Sequence, residues 1–490
     1  MQKKKIRIFS AAAAVCVILF AAYHSRGDIR AEKEFIFSSK KNTVNLWYSD
    51  DALTDYLLSR SVEFNDTHKK IRLVPKLVSA KEYLENIGKA STNEDEYPDL
   101  YILTNDALEK ATLSGLTTPI SDTDLFNADN FSKAALSSVS YDGEYVAYPY
   151  YFETSTLLYN KTYLENAAKD KVENEHLLAE TTPDNAVSGS SLDENSKEFK
   201  EEVSKKEKEM LPQTMTDIIK FAESYNAPEG VEAIFKWDVS DIFYNYFIVG
   251  DCINIGGKSG DDVGKIDIYN KDSIKCMSLY QKLNQFFAID SKTSSYESVK
   301  QDFIDGKMIF TLATTDVLSS IKKAQKEGKC KFEYGVLPMP SLTPDCKTRT
   351  MSVTQCIAVN GYSECEDKAK EVAQWLCTQT NDDLYKQADK VSCYKKVQHD
   401  EEKLDGFLAA YENSVPMPKM ISTSNFWMQL EISFEKIWNG ADPNETLKAV
   451  SEQIKTQVTG SKYTETYVET PENISFTNDE DDYYDEGMDG

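Results

Sequence analysis

Short apolar runs alternate with amphipathic stretches along the first third of the chain. Three of these runs are predicted to be buried strands, at residues 44–48, 71–78 and 97–105. Between the first two, Leu53, Leu57 and Phe64 lie on one face of a predicted helix. A second helix is predicted over residues 106–114, ended by Gly115. This β-α-β-α order predicts a parallel sheet covered by helices.

The most informative segment of the chain is residues 141–161, which is apolar, aromatic and strand-like but contains a carboxylate, Glu153. A charge among apolar strand neighbours needs a partner or a ligand, because its burial is otherwise unfavourable. We therefore single out Glu153 as a candidate functional residue.

Several segments together resemble one known family. They are the Tyr-Pro-Asp strand beginning at Tyr97, the segment around Glu153, and residues 303–310, 334–340 and 426–440. Their content and order are similar to those of the extracellular solute-binding proteins of ABC importers, in the maltose-binding-like, carbohydrate-type branch (family 1). The resemblance spans roughly residues 43–460.

The resemblance implies an α/β protein with the two-lobed, periplasmic-binding-protein-like fold of type II. Each lobe would be a mainly parallel sheet flanked by helices, and three crossings would form a hinge. The first lobe would comprise residues 43–152 and 350–402. The second would comprise residues 153–349 and 403–468. Within the second lobe, the acidic and Lys-rich residues 169–210 are predicted to form a surface insertion.

The resemblance also implies a ligand site between the lobes that needs no cofactor and no metal. The candidate ligand-binding residues are Asp50, Asp51, Asp106, Tyr151, Glu153, Trp237, Tyr244 and Trp427. Carboxylates accept hydrogen bonds from sugar hydroxyls, and an aromatic ring covers the apolar face of a sugar. The alternative for the three aspartates is helix capping, and for the tryptophans it is core packing.

Two departures from maltose-binding members bear on the ligand. Ala107 stands where those proteins carry an arginine, and Leu103 takes an aromatic position. Residues 311–316 carry threonines where maltose binders have tryptophans. Two stacking faces are therefore missing, which argues against maltodextrin specificity, although the family also binds shorter sugars and other polar solutes.

Composition and charge narrow the range of partners. A chain of 490 residues exceeds the size at which one core usually keeps growing, so two lobes are expected. A net charge of −26 argues against nucleic acid and anionic membrane surfaces as partners. The predicted partners are a small solute, most simply a carbohydrate, and the membrane permease of an ABC importer. The chain itself is predicted to be a monomer.

The N-terminus is predicted to be an export signal. Basic residues precede an apolar run over residues 8–23, and a polar linker over residues 24–42 follows. We favour an uncleaved signal anchor over lipidation of Cys16, since apolar residues continue after that cysteine. The chain is therefore expected at the outer face of the cytoplasmic membrane.

Cysteines, histidines and the C-terminal tail add further expectations. Eight cysteines lie in the second half of the chain: Cys252, Cys276, Cys330, Cys346, Cys356, Cys365, Cys377 and Cys393. In an exported protein they permit disulfides, and the alternative is buried free thiols. Only four histidines are present and no C-x-x-C occurs, which disfavours His-based catalysis and thiolate zinc sites. The acidic tail, residues 469–490, is predicted to be disordered.

Three function classes remain in view. The leading hypothesis is a non-enzymatic substrate-binding component of an ABC importer. A sensor or accessory surface protein of the same fold is the main alternative. A glycosidase is the third, because paired carboxylates in a cleft also serve glycoside hydrolysis, but no other catalytic motif supports it.

Overall fold

Two β-sheets, one in each of two lobes, organise the chain. The computed structural model describes residues 42–93, 96–181, 194, 196–423 and 425–476. The strands are β1 (Asn42–Tyr48), β2 (Ile71–Leu77), β3 (Leu100–Thr104), β4 (Ser140–Tyr141), β5 (Glu144–Tyr145), β6 (Tyr148–Thr154), β7 (Thr156–Asn160), β8 (Ala233–Lys236), β9 (Asn254–Ile255), β10 (Ile266–Asp267), β11 (Met308–Ala313), β12 (Tyr334–Leu337), β13 (Met351–Val359), β14 (Val391–Ser392) and β15 (Val415–Pro416). The α-helices are α1 (Thr54–Thr67), α2 (Tyr83–Asn93), α3 (Leu108–Leu113), α4 (Lys133–Val139), α5 (Lys161–Thr181), α6 (Lys197–Glu209), α7 (Met215–Ser224), α8 (Ile242–Asn245), α9 (Lys271–Phe287), α10 (Tyr296–Ile304), α11 (Asp316–Lys326), α12 (Glu366–Thr378), α13 (Asp383–Ala388), α14 (Leu404–Asn413), α15 (Phe426–Trp438) and α16 (Pro443–Thr459).

The first lobe is built on a seven-stranded sheet in the order β14-β6-β13-β3-β1-β2, with β15 beside β13. β1 pairs in parallel with β2 and β3, as the alternating pattern predicts. Val44, Leu46 and Leu100 are completely buried in this sheet, because helices cover its faces. The sheet thereby places the ends of β1 and β3 side by side.

The second lobe contains a four-stranded sheet in the order β12-β7-β11-β8. The predicted two-lobed α/β fold is confirmed, but its sheets are more mixed than the expected mainly parallel pairing. β13 is antiparallel to β3 and β6, and β7 is antiparallel to β11 and β12. Strands that follow a crossing enter the sheet from the opposite end, which explains their direction.

Three connections join the lobes. Ser155 separates β6 from β7, and residues 338–350 lead from β12 back to β13. The third connection lies after β15, since β15 still pairs with β13 of the first sheet. This is later than the predicted start of the returning second lobe at residue 403. The preceding helix, α14, packs on strands of both sheets, with Tyr411 stacked on Phe152 at 3.8 Å.

The predicted insertion at residues 169–210 is mainly helical. α5 begins earlier, directly after β7, and α6 packs against it. Ala168, Val172, Phe199 and Val203 form a small apolar cluster separate from the main cores. Ser196 caps α6, with its hydroxyl accepting a hydrogen bond from Phe199 N. The described part of the segment is thus an added helical pair at the second lobe, and residues 182–193 and 195 lie outside the described part.

The predicted start of the disordered tail, residue 469, is wrong. Residues 469–476 pack on the second lobe, where Phe476 is buried and Thr216 Oγ1 donates to its carbonyl at 3.0 Å. Asn444 also donates to Thr470 Oγ1 at 2.8 Å. Apolar Ile474 and Phe476 supply burial that an acidic count alone does not reveal. The rest of the tail, residues 477–490, is outside the described residues.

The N-terminal predictions fall on residues 1–41, outside the described part of the chain, except that residue 42 begins β1 rather than ending the linker. Within the described ranges, we find no helix that is both long and apolar enough to cross a membrane. The eight cysteines of the second half are free thiols, and all but Cys252 and Cys365 are buried. The structure thus corresponds to the alternative of free thiols rather than to disulfides.

Candidate functional site

A cavity of about 300 Å³ opens where β1 and β3 end and where β6 carries Glu153. We call it the carboxylate pocket. It is lined by Tyr48, Ser49, Asp50, Leu53, Ala80, Tyr83, Leu84, Ile102, Leu103, Thr104, Ala107, Tyr151, Glu153 and Gln355. All of these residues belong to the first lobe. The carboxyl ends of neighbouring parallel strands are a common place for a ligand, because polar loops converge there above an apolar sheet.

Asp50 is fixed by the turn that follows β1. Its Oδ1 accepts a hydrogen bond from Ala52 N at 3.1 Å and so caps the short helical turn Asp51–Leu53. Its Oδ2 lies 3.2 Å from Lys390 Nζ and 3.4 Å from the hydroxyl of Tyr151. The capping and ligand-binding interpretations are therefore compatible, since each uses a different oxygen.

Glu153 lies near the end of β6, the last strand before the chain enters the second lobe. Its backbone is paired with Val353 of β13, and its side chain is 42% exposed. Its Oε1 lies 2.8 Å from Lys390 Nζ. Glu153 is thus neither buried without a partner nor an ordinary surface charge, because it forms one wall of a pocket and an ion pair.

Lys390 joins the two carboxylates and was not predicted from the sequence. Burial alone would lower the pKa of its ammonium, but the charges of Glu153 and Asp50 outweigh that effect and leave the pKa raised. Burial, followed by the nearby Asp50 and Glu153, raises the pKa of Tyr151 well above its usual range. The carboxyl groups of Asp50 and Glu153 therefore lie beside the protonated ammonium of Lys390 and the neutral phenol of Tyr151.

Asp51 and Asp106 are not among the residues that line the carboxylate pocket. Asp51 is exposed in the first turn after β1 and is not among the lining residues. Asp106 lies between the lining residues Thr104 and Ala107. Its Oδ1 is buried and receives no hydrogen bond from the described part of the chain. An unsatisfied buried acceptor beside a pocket is unfavourable on its own, which makes Asp106 the better candidate of the two.

Trp237 occupies the core of the second lobe rather than a ligand face. It is completely buried, and its indole nitrogen donates to Asn245 Oδ1 at 2.9 Å. Its ring packs at 4.8 Å from Phe235 and 5.6 Å from Trp438. The core-packing alternative explains this residue, so we assign it no ligand contact.

Tyr244 and Trp427 also lie in the second lobe, outside the carboxylate pocket. Tyr244 is buried and stacks on Tyr296 at 4.8 Å. The hydroxyl of Tyr296 donates to Asp316 Oδ1 at 2.6 Å, at the start of α11. Trp427 is partly buried at the start of α15, with its ring 5.7 Å from that of Tyr246. Tyr244 is therefore a packed residue, whereas Trp427 combines packing with partial exposure.

The two lobes touch close to Lys390. Asp389 ends α13 with a left-handed backbone, φ +55°, and its carboxylate accepts a hydrogen bond from Ser319 at 3.0 Å. Its backbone carbonyl also accepts from Thr315 Oγ1 at 3.3 Å. Thr315 and Ser319 lie at the start of α11 in the second lobe. The segment that carries Lys390 is thus held by both lobes.

A profile of bacterial extracellular solute-binding proteins matches residues 61–405. The chain belongs to this family. The match includes the four-stranded sheet, every strand of the first sheet except β1 and β15, the crossing at Ser155 and the segment that carries Lys390. The resemblance inferred from the ordered motifs is confirmed, and membership implies that this solute-binding protein is exported.

A named relative and solved structures are similar to this chain, and the solved structures share its fold. The solute-binding protein is 22% identical over 396 residues to a maltotriose-binding protein of Pyrococcus abyssi, covering 77% of this chain and 74% of the relative. It is similar in fold to an extracellular solute-binding protein of Staphylococcus aureus solved with maltose, with a TM-score of 0.66 and 18% identity, covering 86% of this chain and 99% of that one. A maltose-binding periplasmic protein of Listeria monocytogenes gives a TM-score of 0.61 at 19% identity, covering 87% and 100%.

Proposed function

We propose that this solute-binding protein captures a small carbohydrate at the carboxylate pocket and delivers it to the permease of an ABC importer. The observation that carries the proposal is the pair of pocket carboxylates, Asp50 and Glu153, held at the strand ends of the first lobe. Carboxylate oxygens accept strong hydrogen bonds from hydroxyl groups. A polyol is therefore the ligand class that this chemistry suits best.

The size of the pocket and the named relatives support the same ligand class. A volume of about 300 Å³ is at the lower end of the range for small-molecule sites, which favours a mono- or short oligosaccharide. The similar proteins named above are a maltotriose-binding protein and two proteins solved with maltose. Asp106, Tyr151, Tyr244 and Trp427 are the further residues that we propose as ligand contacts once the lobes close.

A thermal-shift screen of the purified chain against mono- and oligosaccharides tests the proposal. A saccharide at a hundredfold excess over its Kd stabilises the folded state by about 2.7 kcal/mol, which is measurable as a melting shift. Amino acids and small peptides serve as control solutes. The proposal fails if no saccharide raises the melting temperature, or if only the control solutes do.

The same sugar distinguishes binding from the alternative functions. We propose that the chain is not an enzyme, so prolonged incubation with the stabilising sugar should release no product. Product formation would instead support the glycosidase alternative. Sugar uptake by cells should fall when the chain is deleted, whereas unchanged uptake would support the sensor or accessory alternative.

We also propose that residues 1–23 tether the protein to the outer face of the membrane as an uncleaved anchor. The basic residues before the apolar run favour this orientation. Fractionation of cells that express the wild type and Cys16→Ala tests the choice between anchor and lipid. Both should stay with the membrane, and release of Cys16→Ala would support lipidation.

A further inference from the structure

The backbone places Lys390 directly opposite Glu153. β14 pairs antiparallel with β6, with Val391 opposite Phe152 and Ser392 opposite Tyr151. One residue further in this register, Lys390 faces Glu153 across the strands. Opposite charges directly across a strand pair attract each other, so the register itself creates the ion pair.

The contacts of Lys390 differ from those of an ordinary surface lysine. Its side chain is 18% exposed, and its ammonium lies 2.8 Å from Glu153 and 3.2 Å from Asp50. The same ammonium lies 5.5 Å from the ring of Tyr151. Three pocket-lining residues, Asp50, Glu153 and Tyr151, therefore surround one ammonium group. Because Lys390 is largely buried, salt screens its ion pairs less than it screens those of an exposed lysine.

Lys390 changes the net charge that the pocket presents to a ligand. Asp50 and Glu153 carry two negative charges, and one ammonium between them leaves a net charge of −1 rather than −2. An incoming ammonium group would be attracted by the carboxylates but repelled by Lys390 at short range. A neutral hydroxyl avoids that repulsion and can still donate to a carboxylate oxygen, because no described residue donates to Glu153 Oε2.

We propose that Lys390 is a specificity-determining residue, which makes the Asp50–Glu153 pair select neutral sugars over amino sugars and other cationic solutes. This inference rests on the proposed carbohydrate-binding function and deepens it. Lys390 acts by positioning and neutralising the two carboxylates. The attachment of the neighbouring Asp389 to Ser319 of the second lobe keeps that position fixed.

The test compares matched neutral and cationic probes by titration calorimetry at mildly acidic pH, where amino sugars are protonated. The probe pairs are glucose with glucosamine, and the β-1,4-linked trisaccharide of glucose with that of glucosamine, so that the members of each pair differ only at C2. In Lys390→Met, the affinity for the cationic probe relative to the neutral one should rise at least about tenfold, because an unshielded second carboxylate attracts the ammonium. Lys390→Arg keeps the charge and should retain the wild-type preference.

Lys386→Met is the matched control. Lys386 also bridges two carboxylates, Asp382 at 3.1 Å and Asp400 at 2.5 Å, but neither of these lines the carboxylate pocket, whereas both partners of Lys390 do. Its loss should leave the relative affinity unchanged. The inference is overturned if Lys390→Met leaves the affinity for each amino sugar relative to its neutral partner unchanged, or shifts it no more than Lys386→Met does.

A second pair of variants keeps the test decisive if Lys390→Met does not fold. Glu153→Gln removes one negative charge, and the double variant Lys390→Met/Glu153→Gln returns the net charge to −1. The double variant should favour the cationic probe at least about tenfold more than Glu153→Gln does. Equal preferences in these two variants overturn the inference. If the wild type binds no saccharide in the screen, the proposed function fails and the inference fails with it.

Discussion

The two lobes use their polar and aromatic residues in different ways. In the first lobe, Asp50 and Glu153 line a pocket at the ends of the strands, and Lys390 forms ion pairs with both. In the second lobe, Trp237 and the rings around it fill a closed core. The difference shows that a charged residue in an apolar strand led to a cavity-lining position more directly than aromatic residues did, since aromatic side chains also dominate cores.

The largest expected effect tests the core side of this comparison. Trp237→Ala should lower the free energy of unfolding by about 4 kcal/mol, because it removes a completely buried ring and leaves a cavity. Chemical denaturation measures the change. Trp237→Phe, which keeps most of the volume, serves as the control and should lose much less. A loss below about 1 kcal/mol in Trp237→Ala would show that Trp237 is not a core residue.

The region between the lobes gives a pH-dependent prediction. Lys419 is 1% exposed, and its ammonium donates to the carbonyls of Ser137 in the first lobe, at 2.9 Å, and of Ser259 in the second. Burial lowers the pKa of Lys419 to about 8, despite the nearby Asp261 and Cys356. Lys390 shows the opposite direction because carboxylates, rather than carbonyls, surround it.

The sign of this effect follows from the lowered pKa. Between about pH 8 and the ordinary lysine pKa, Lys419 loses its proton in the folded chain but keeps it in the unfolded chain. The free energy of unfolding therefore rises with pH over this range. Relative to Lys419→Met, the wild type should gain about 3 kcal/mol between pH 7 and pH 10.5. Denaturation curves of both proteins at several pH values measure this difference. If the stability of the wild type relative to Lys419→Met stays constant or falls as pH rises, the pKa of Lys419 is not lowered in the folded chain.

The next effect tests the pocket side of the comparison. Glu153→Gln should weaken saccharide binding by about 2 kcal/mol, between one and two decades in Kd, because it removes a charge-assisted acceptor. Titration calorimetry measures the loss, and melting curves should show an intact fold. Asp51→Asn is the matched control, since Asp51 is an exposed carboxylate outside the pocket lining. Equal losses in both variants would remove Glu153 from the site.

The smallest expected effect concerns Trp427, which is neither a fully buried core residue nor a residue of the pocket lining. Trp427→Ala should weaken sugar binding by about 1 kcal/mol through loss of a stacking face, with a smaller loss of stability than in Trp237→Ala. Calorimetry and denaturation of the same variant separate the two contributions. A stability loss of several kcal/mol without the sugar would place Trp427 with the core residues instead.

Sequence patterns predicted the fold well because strands and helices repeat at fixed periods. The buried strand containing Leu46 and the crossing segment containing Glu153 both occur where the pattern indicated. The packing of residues around Phe476 was not predicted, because the acidic composition of the tail outweighed its two apolar residues, Ile474 and Phe476. Local composition is a weaker guide where a few side chains decide whether a segment packs.

The candidate site was only partly predictable. Asp50 and Glu153 were predicted because a capping position and a charged strand are local signals, and both line the carboxylate pocket. Their contact with a ligand stays a prediction. Lys390 is 237 residues from Glu153 in the sequence, and it meets Glu153 only through the register of β14 on β6. No local pattern encodes such a contact. Trp237 was assigned wrongly to the ligand set because a large aromatic residue has the same sequence signature in a core and in a cleft.

Hydrogen exchange of the wild-type chain with and without its stabilising saccharide tests the central claim most directly. The account predicts that added protection is centred on the segments around Asp50, Glu153 and Lys390, because these line or hold the carboxylate pocket. The gain in protection on adding the saccharide should be smaller in the core around Trp237, because that core is already closed without ligand. Saccharide-dependent protection that leaves all three pocket segments unchanged would contradict the account.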